Sequence, residues 1–147
     1  MYIYNYMNSQ LPNQIFFSGS FGSKWDSISQ VLKQLSGIES RLIYKQDYSE
    51  MLPELNQLNP EDWIMLVHRQ YKPSLDLWLK TGEQNMQLDQ VTDLIKKQNQ
   101  FIMRWVFEKN LKLERFTPHW VEREFGQNIN FDSAEFDDVF VTIYKPI

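Results

Sequence analysis

Residues 62–69 read Asp62-Trp63-Ile64-Met65-Leu66-Val67-His68-Arg69, and the unbroken apolar run from Trp63 to Val67 decides the fold class. A strand with one wet face alternates apolar and polar side chains; a run without alternation needs apolar cover on both faces, as in a parallel sheet enclosed by helices. Asn59-Pro60-Glu61-Asp62 supplies turn chemistry before it. Upstream, Ile15-Phe16-Phe17-Ser18 reads as a second strand, and Val139-Phe140-Val141-Thr142-Ile143-Tyr144 near the end is β-branched and aromatic, a third. These three are expected to share one mostly parallel sheet.

Helical spacing fills the intervals. Ile28, Val31, Leu32 and Leu35 recur with Gly37 placed as a C-terminal cap, which predicts a helix of about three turns. Leu42-Ile43-Tyr44 is a short candidate strand, and Met51, Leu52, Leu55 and Leu58 predict a short helix within Tyr48 to Asn59. Pro73 suits the first turn of a helix carrying Leu75, Leu77, Trp78 and Leu79 and ending near Thr81-Gly82. The longest helix runs from about Leu88 to Asn110 on the stripe Leu88, Val91, Ile95, Ile102, Trp105 and Val106, interrupted by Gln98. Thr117 or Pro118 starts a last helix through Trp120, Val121 and Phe125, ended by Gly126. Strands and helices alternate without a repeat or linker. The expected architecture is one α/β domain over residues 1–147, a three-layer sandwich with a mostly parallel sheet.

The segment Ile15-Phe16-Phe17-Ser18-Gly19-Ser20-Phe21-Gly22-Ser23-Lys24-Trp25 runs a strand into a small-residue turn and on into a helix beginning near Asp26. That shape holds phosphate: glycines let successive N–H groups point inward, and the helix directs its free N–H groups and positive dipole end at the same spot. Lys24 and the hydroxyls of Ser20 and Ser23 add donors. Lys24 comes one residue late for a Walker loop and Trp25 takes the place of the metal-binding hydroxyl, which disfavours Mg-dependent NTP hydrolysis. The alternative is a plain strand-to-helix turn capped by Ser23 or Asp26. A second polar cluster, His68-Arg69-Gln70 through Ser74, follows the buried strand, at the carboxyl end where α/β sheets bind ligands. Arg69 offers a planar fork for a phosphate, or caps carbonyls at the strand end; Ser74 offers a hydroxyl at a helix start. His68 is a candidate general base or a structural histidine.

Composition narrows the function classes. There is no cysteine and there are two histidines, so neither a disulfide framework nor a metal centre is expected. A net charge of −4 makes nucleic acid an unfavoured partner, and Lys96-Lys97 alone do not make such a site. The acidic groups Asp132, Glu135, Asp137 and Asp138 read as a solvated face. No run is long enough to cross a bilayer, and Met1-Tyr2-Ile3-Tyr4-Asn5-Tyr6 lacks a basic leader with an apolar core, so a soluble cytoplasmic protein is expected. Aromatic residues make up 15% of the chain, which predicts a core built on rings.

Taken in order, these segments resemble the sulfotransferase-like P-loop family, especially short forms encoded by marine bacteriophages and bacteria. The resemblance rests on Phe17 to Trp25, Asp62 to Arg69, the Pro73-Ser74 helix with Trp78, the Gln98-Asn99 pair and the Val141-Thr142-Ile143 strand. It implies a parallel sheet flanked by helices and a nucleotide donor, 3′-phosphoadenosine-5′-phosphosulfate (PAPS). Gly19, Ser20, Phe21, Gly22, Ser23, Lys24 and Trp25 would hold its 5′-phosphosulfate, and Arg69 and Ser74 its 3′-phosphate. Lys24 and His68 are the candidate catalytic groups, the acceptor a small molecule or glycan, and no metal is required. The competing expectation is a noncatalytic P-loop-like protein that works through a protein partner.

Overall fold

The computed structural model describes residues 11–20, 22–43, 59, 61–81 and 87–145. Most of the expected helix from Tyr48 to Asn59, the expected strand end Tyr44, the helix end at Gly82 and the loop residue Phe21 lie outside them.

Among the described residues, five strands form one open sheet: β1 (Gln14–Gly19), β2 (Glu39–Leu42), β3 (Trp63–Arg69), β4 (Glu114–Arg115) and β5 (Val139–Tyr144), in the order β2-β1-β3-β5-β4. The described helices are α1 (Trp25–Leu32), α2 (Tyr71–Thr81), α3 (Leu88–Glu108) and α4 (Pro118–Phe125), with a short 3-10 turn at Ser133–Phe136 before β5. β1 pairs parallel with both β2 and β3, with Gly19 opposite Val67. β3 and β4 each pair antiparallel with β5, with Arg69 opposite Val139. The sheet is therefore mixed rather than mostly parallel. A continuous apolar run reports cover on both faces and is indifferent to the direction of the neighbouring strand, so the run at Trp63 to Val67 could not reveal the reversal of β5.

The cover itself is as the run requires. Trp63, Met65 and Val67 pack with Ile15 and Phe17 of β1, Val139, Val141 and Ile143 of β5, and the apolar faces of α1 and α4. The alternate residues Ile64 and Leu66 pack with Ile102, Trp105 and Val106 of α3. Trp78 joins α2 to Val91 and Ile95 of α3. Phe116, fully buried, is the hub of a ring cluster, with centroids 4.8 Å from Phe131, 5.0 Å from Phe136 and 5.9 Å from Trp120.

Local signals set several boundaries. Thr117 caps α4 by accepting a hydrogen bond from the Trp120 N–H at 3.1 Å, Pro118 occupies its first turn, and Gly126 ends it in the left-handed conformation. α1 stops at Leu32, earlier than the spacing predicts. Leu35 stays buried because the chain tightens into i→i−3 bonds, Gln34 N–H to Val31 and Leu35 N–H to Leu32, which keep the apolar stripe inward after the helix has ended. Gly37 belongs to the turn before β2, and β2 ends at Leu42, where the sequence suggested a strand would begin.

Candidate functional site

β1 and β3 end side by side, and the helices that follow them leave on opposite faces of the sheet: α1 covers the Met65 face, and α2 packs on α3, which covers the Leu66 face. Divergence of this kind opens a crevice at the strand ends. The loop between β1 and α1 lies at these strand ends, with Gly22 close against Ser74 of α2. The Ser23 N–H donates to the Ser20 carbonyl at 3.1 Å, closing a tight turn. Gly22 sits at φ +72°, so close to α2 that an added Cβ would lie 3.0 Å from Cα, Cβ and O of Ser74. Gly19 is equally constrained, since an added Cβ would meet the Ser23 Oγ at 2.3 Å and Cβ of Val67 at 3.1 Å. The two glycines are required by close approach of side chain and helix, and at Gly22 by backbone conformation as well.

The turn and the helix beside it enclose three hydroxyls. Ser20, Ser23 and Ser74 are buried, and none of their Oγ atoms has a hydrogen-bond partner among the described residues. Burial without a partner is costly for a hydroxyl, and such groups mark places where another polar group belongs. α1 begins without a side-chain cap: its N-cap residue is Lys24, held at φ +65°, and neither Ser23 nor Asp26 fills the capping role that the plain-turn alternative assigns them. In the first turn, the N–H groups of Asp26 and Ser27 therefore receive no cap from the Lys24 side chain. Trp25 packs against the core below.

Lys24 and Arg69 are both engaged by the protein at this edge. Nε of Arg69 donates to Oδ2 of Asp138 at 2.9 Å, and one terminal nitrogen donates to the Gly22 carbonyl at 3.0 Å. The Arg69 carbonyl in turn accepts from Nδ2 of Asn99 at 2.8 Å. Arg69 is thus a buried brace between the loop and the start of β5, the carbonyl-capping role that competed with phosphate binding in the sequence. Nζ of Lys24 donates to the Glu135 carbonyl. Both anchors come from one segment, Ser133 to Asp138, whose Phe136 is buried in the ring cluster. The segment lies at this edge because β5 runs antiparallel: its first residue pairs with the last of β3. Of the acids read as a solvated face, Asp138 pairs with Arg69, Asp137 with Arg115, and Asp132 caps the 3-10 turn through the Ala134 N–H. Nothing local in the sequence marks Asp138 as the partner of a residue 69 positions away.

Strand alternation places His68 on the α3 side of the sheet and Arg69 on the α1 side, so the structure brings Lys24 and Arg69 to one segment and turns His68 away from it. His68 faces Phe140 in the register, its Nδ1 is buried without a partner among the described residues, and burial lowers its pKa from the ordinary value of 6.5. A neutral base near working pH results. Because the unfolded chain binds this proton more readily than the folded one, stability should fall as pH drops through 6.5 toward the lower folded value, and should be insensitive to this group above it. Melting temperatures from pH 5 to 8 test this: the wild type should lose stability on the acid side, and His68→Gln should flatten that part of the profile. An identical slope in the variant would assign the acid sensitivity to other groups.

Among the described residues no three His, Cys, Asp or Glu side chains gather as a metal-binding group, and no helix is long and apolar enough to cross a membrane. No known family model, curated protein or solved structure matches this chain.

Proposed function

We propose that the chain binds the phosphate groups of a nucleotide at the β1–α1 loop, in a three-layer, sulfotransferase-like P-loop arrangement with PAPS as the donor. The observation that carries this reading is the set of buried hydroxyls of Ser20, Ser23 and Ser74, without partners among the described residues, beside a start of α1 that lacks a side-chain cap. A phosphate oxygen accepts from hydroxyls and from the N–H groups of a helix's first turn together, which answers both the buried hydroxyls and the missing side-chain cap. In this reading Gly19, Ser20, Gly22, Ser23, Lys24 and Ser74 form the cradle, and Arg69 holds its shape by fixing the Gly22 carbonyl. PAPS, when bound, supplies a sulfuryl group for a small-molecule or glycan acceptor. Lys24, the N-cap residue of α1, exchanges its bond to the Glu135 carbonyl for one to the phosphosulfate.

Calorimetry with adenosine 3′,5′-bisphosphate tests the reading. The wild type should bind, and Lys24→Ala and Ser74→Ala should each weaken binding, Lys24→Ala by about 1–3 kcal/mol for a lost charged hydrogen bond. Absence of wild-type binding would defeat it. The second reading, a noncatalytic domain working through a protein partner, is favoured by the engagement of Arg69 with Asp138 and of Lys24 with the Glu135 carbonyl, which satisfies both cations without a ligand.

A further inference from the structure

The strand-end edge that carries the loop also carries a ring and a cation that phosphate binding leaves unused. Tyr71 opens α2 and is 40% exposed, although it is a large aromatic. It stands three residues before Ser74, and side chains at that spacing share a helix face. Ser74 is the residue on which Gly22 packs, so the ring lies one helical turn above the point where the loop meets α2. Side chains of a helix lean toward its N-terminus, which carries the Tyr71 ring out over the open end of α2 and not back along it. From α3, Lys96 places Nζ 4.6 Å from the ring centroid. Lys96 has no carboxylate partner among the described residues, in contrast to Arg69, which is paired with Asp138.

Resting on the phosphate-binding reading of the loop, we propose that Tyr71 and Lys96 form a nucleoside subsite. The base of a nucleotide stacks on the face of Tyr71 turned away from Lys96, and the ammonium of Lys96 neutralises a phosphate on the ribose. Lys96 thereby takes the part that the family resemblance gives to Arg69, whose fork is engaged by Asp138 and the Gly22 carbonyl. A phenol ring stacks on any base, so the subsite selects nucleotides over simple phosphates while discriminating weakly between adenine and guanine.

The test compares pyrophosphate, adenosine 5′-monophosphate and adenosine 3′,5′-bisphosphate by calorimetry on the wild type, Tyr71→Ala, Tyr71→Phe and Lys96→Ala. Tyr71→Ala should lower bisphosphate affinity about tenfold, the scale of one lost base stack. It should leave pyrophosphate affinity unchanged, and Tyr71→Phe should behave as the wild type. Lys96→Ala should weaken the bisphosphate more than the monophosphate. Since Tyr71 is exposed, unchanged melting of its variants verifies that only binding is altered. Bisphosphate affinity untouched by Tyr71→Ala, or an equal loss for pyrophosphate, overturns the subsite and leaves the loop reading standing. A wild type that binds none of the three ligands overturns both.

Discussion

Replacing Phe116 by alanine is expected to lower the unfolding free energy by about 3–5 kcal/mol, the cost of removing a large ring from a packed core. The position justifies the upper part of the range. Phe116 is fully buried and touches Trp120, Phe131 and Phe136, and its neighbours arrive from α4, from the loop after it and from the 3-10 turn, so they cannot close the cavity by one concerted shift. For a chain of this size the melting temperature should fall by about 10–15 °C. The effect should reach the candidate site as well. Phe136 lies between Glu135, which holds Lys24, and Asp138, which holds Arg69; loss of its ring partner loosens both anchors. Amide exchange at Ser23 and Lys24 should therefore accelerate in conditions where the variant remains folded. Thermal melts and exchange measured on the same samples test the two parts separately, and a variant destabilised by less than 1 kcal/mol would show that the ring cluster is not the structural hub described above.

Gly22→Ala is the second large effect, about 2–4 kcal/mol. Left-handed backbone costs a residue with a Cβ about 1–2 kcal/mol, and the remainder comes from overpacking against α2. The obstacle is Cα, Cβ and O of Ser74 at 3.0 Å, backbone that cannot rotate aside. Gly37 is the internal control: its φ is +73°, nearly that of Gly22, but an added Cβ there meets nothing within 4 Å. Gly37→Ala should carry the conformational cost alone, about 1 kcal/mol. The difference between the two urea midpoints isolates the close approach of loop and helix. Equal losses would mean that the loop stands off α2, and the enclosure of Ser74 would have to be abandoned with it.

What could be read from the sequence depended on how local the governing interaction is. The strand-turn-helix at Gln14 to Leu32, the buried β3 and the caps of α4 at Thr117 and Gly126 are each written within a few residues, and each was legible. The direction of β5 was not, because its apolar and β-branched residues suit either orientation. β4 spans only Glu114 and Arg115 and has no pattern of its own apart from its place beside β5. The candidate loop was found from its glycines, and the structure adds the reason for them, contact of Gly22 with Ser74 and of Gly19 with Ser23. The environment of Arg69 was out of reach for the same cause as the sheet direction: the reversal of β5 delivers Asp138 to the end of β3.

That reversal also fixes when the site comes into being. The bond from Lys24 to the Glu135 carbonyl joins residues 111 positions apart, and the Arg69–Asp138 pair spans 69, so each closes a very large loop of chain. Contacts of such separation reward the chain only after the entropy of closure has been met, and they form late in folding. A chain emerging from the ribosome, growing from its N-terminus, has β1, its glycine loop and β3 in hand long before the segment that shapes them exists. The loop acquires its final form only when β5 docks, which makes the last strand of the described sheet the step that matures the site.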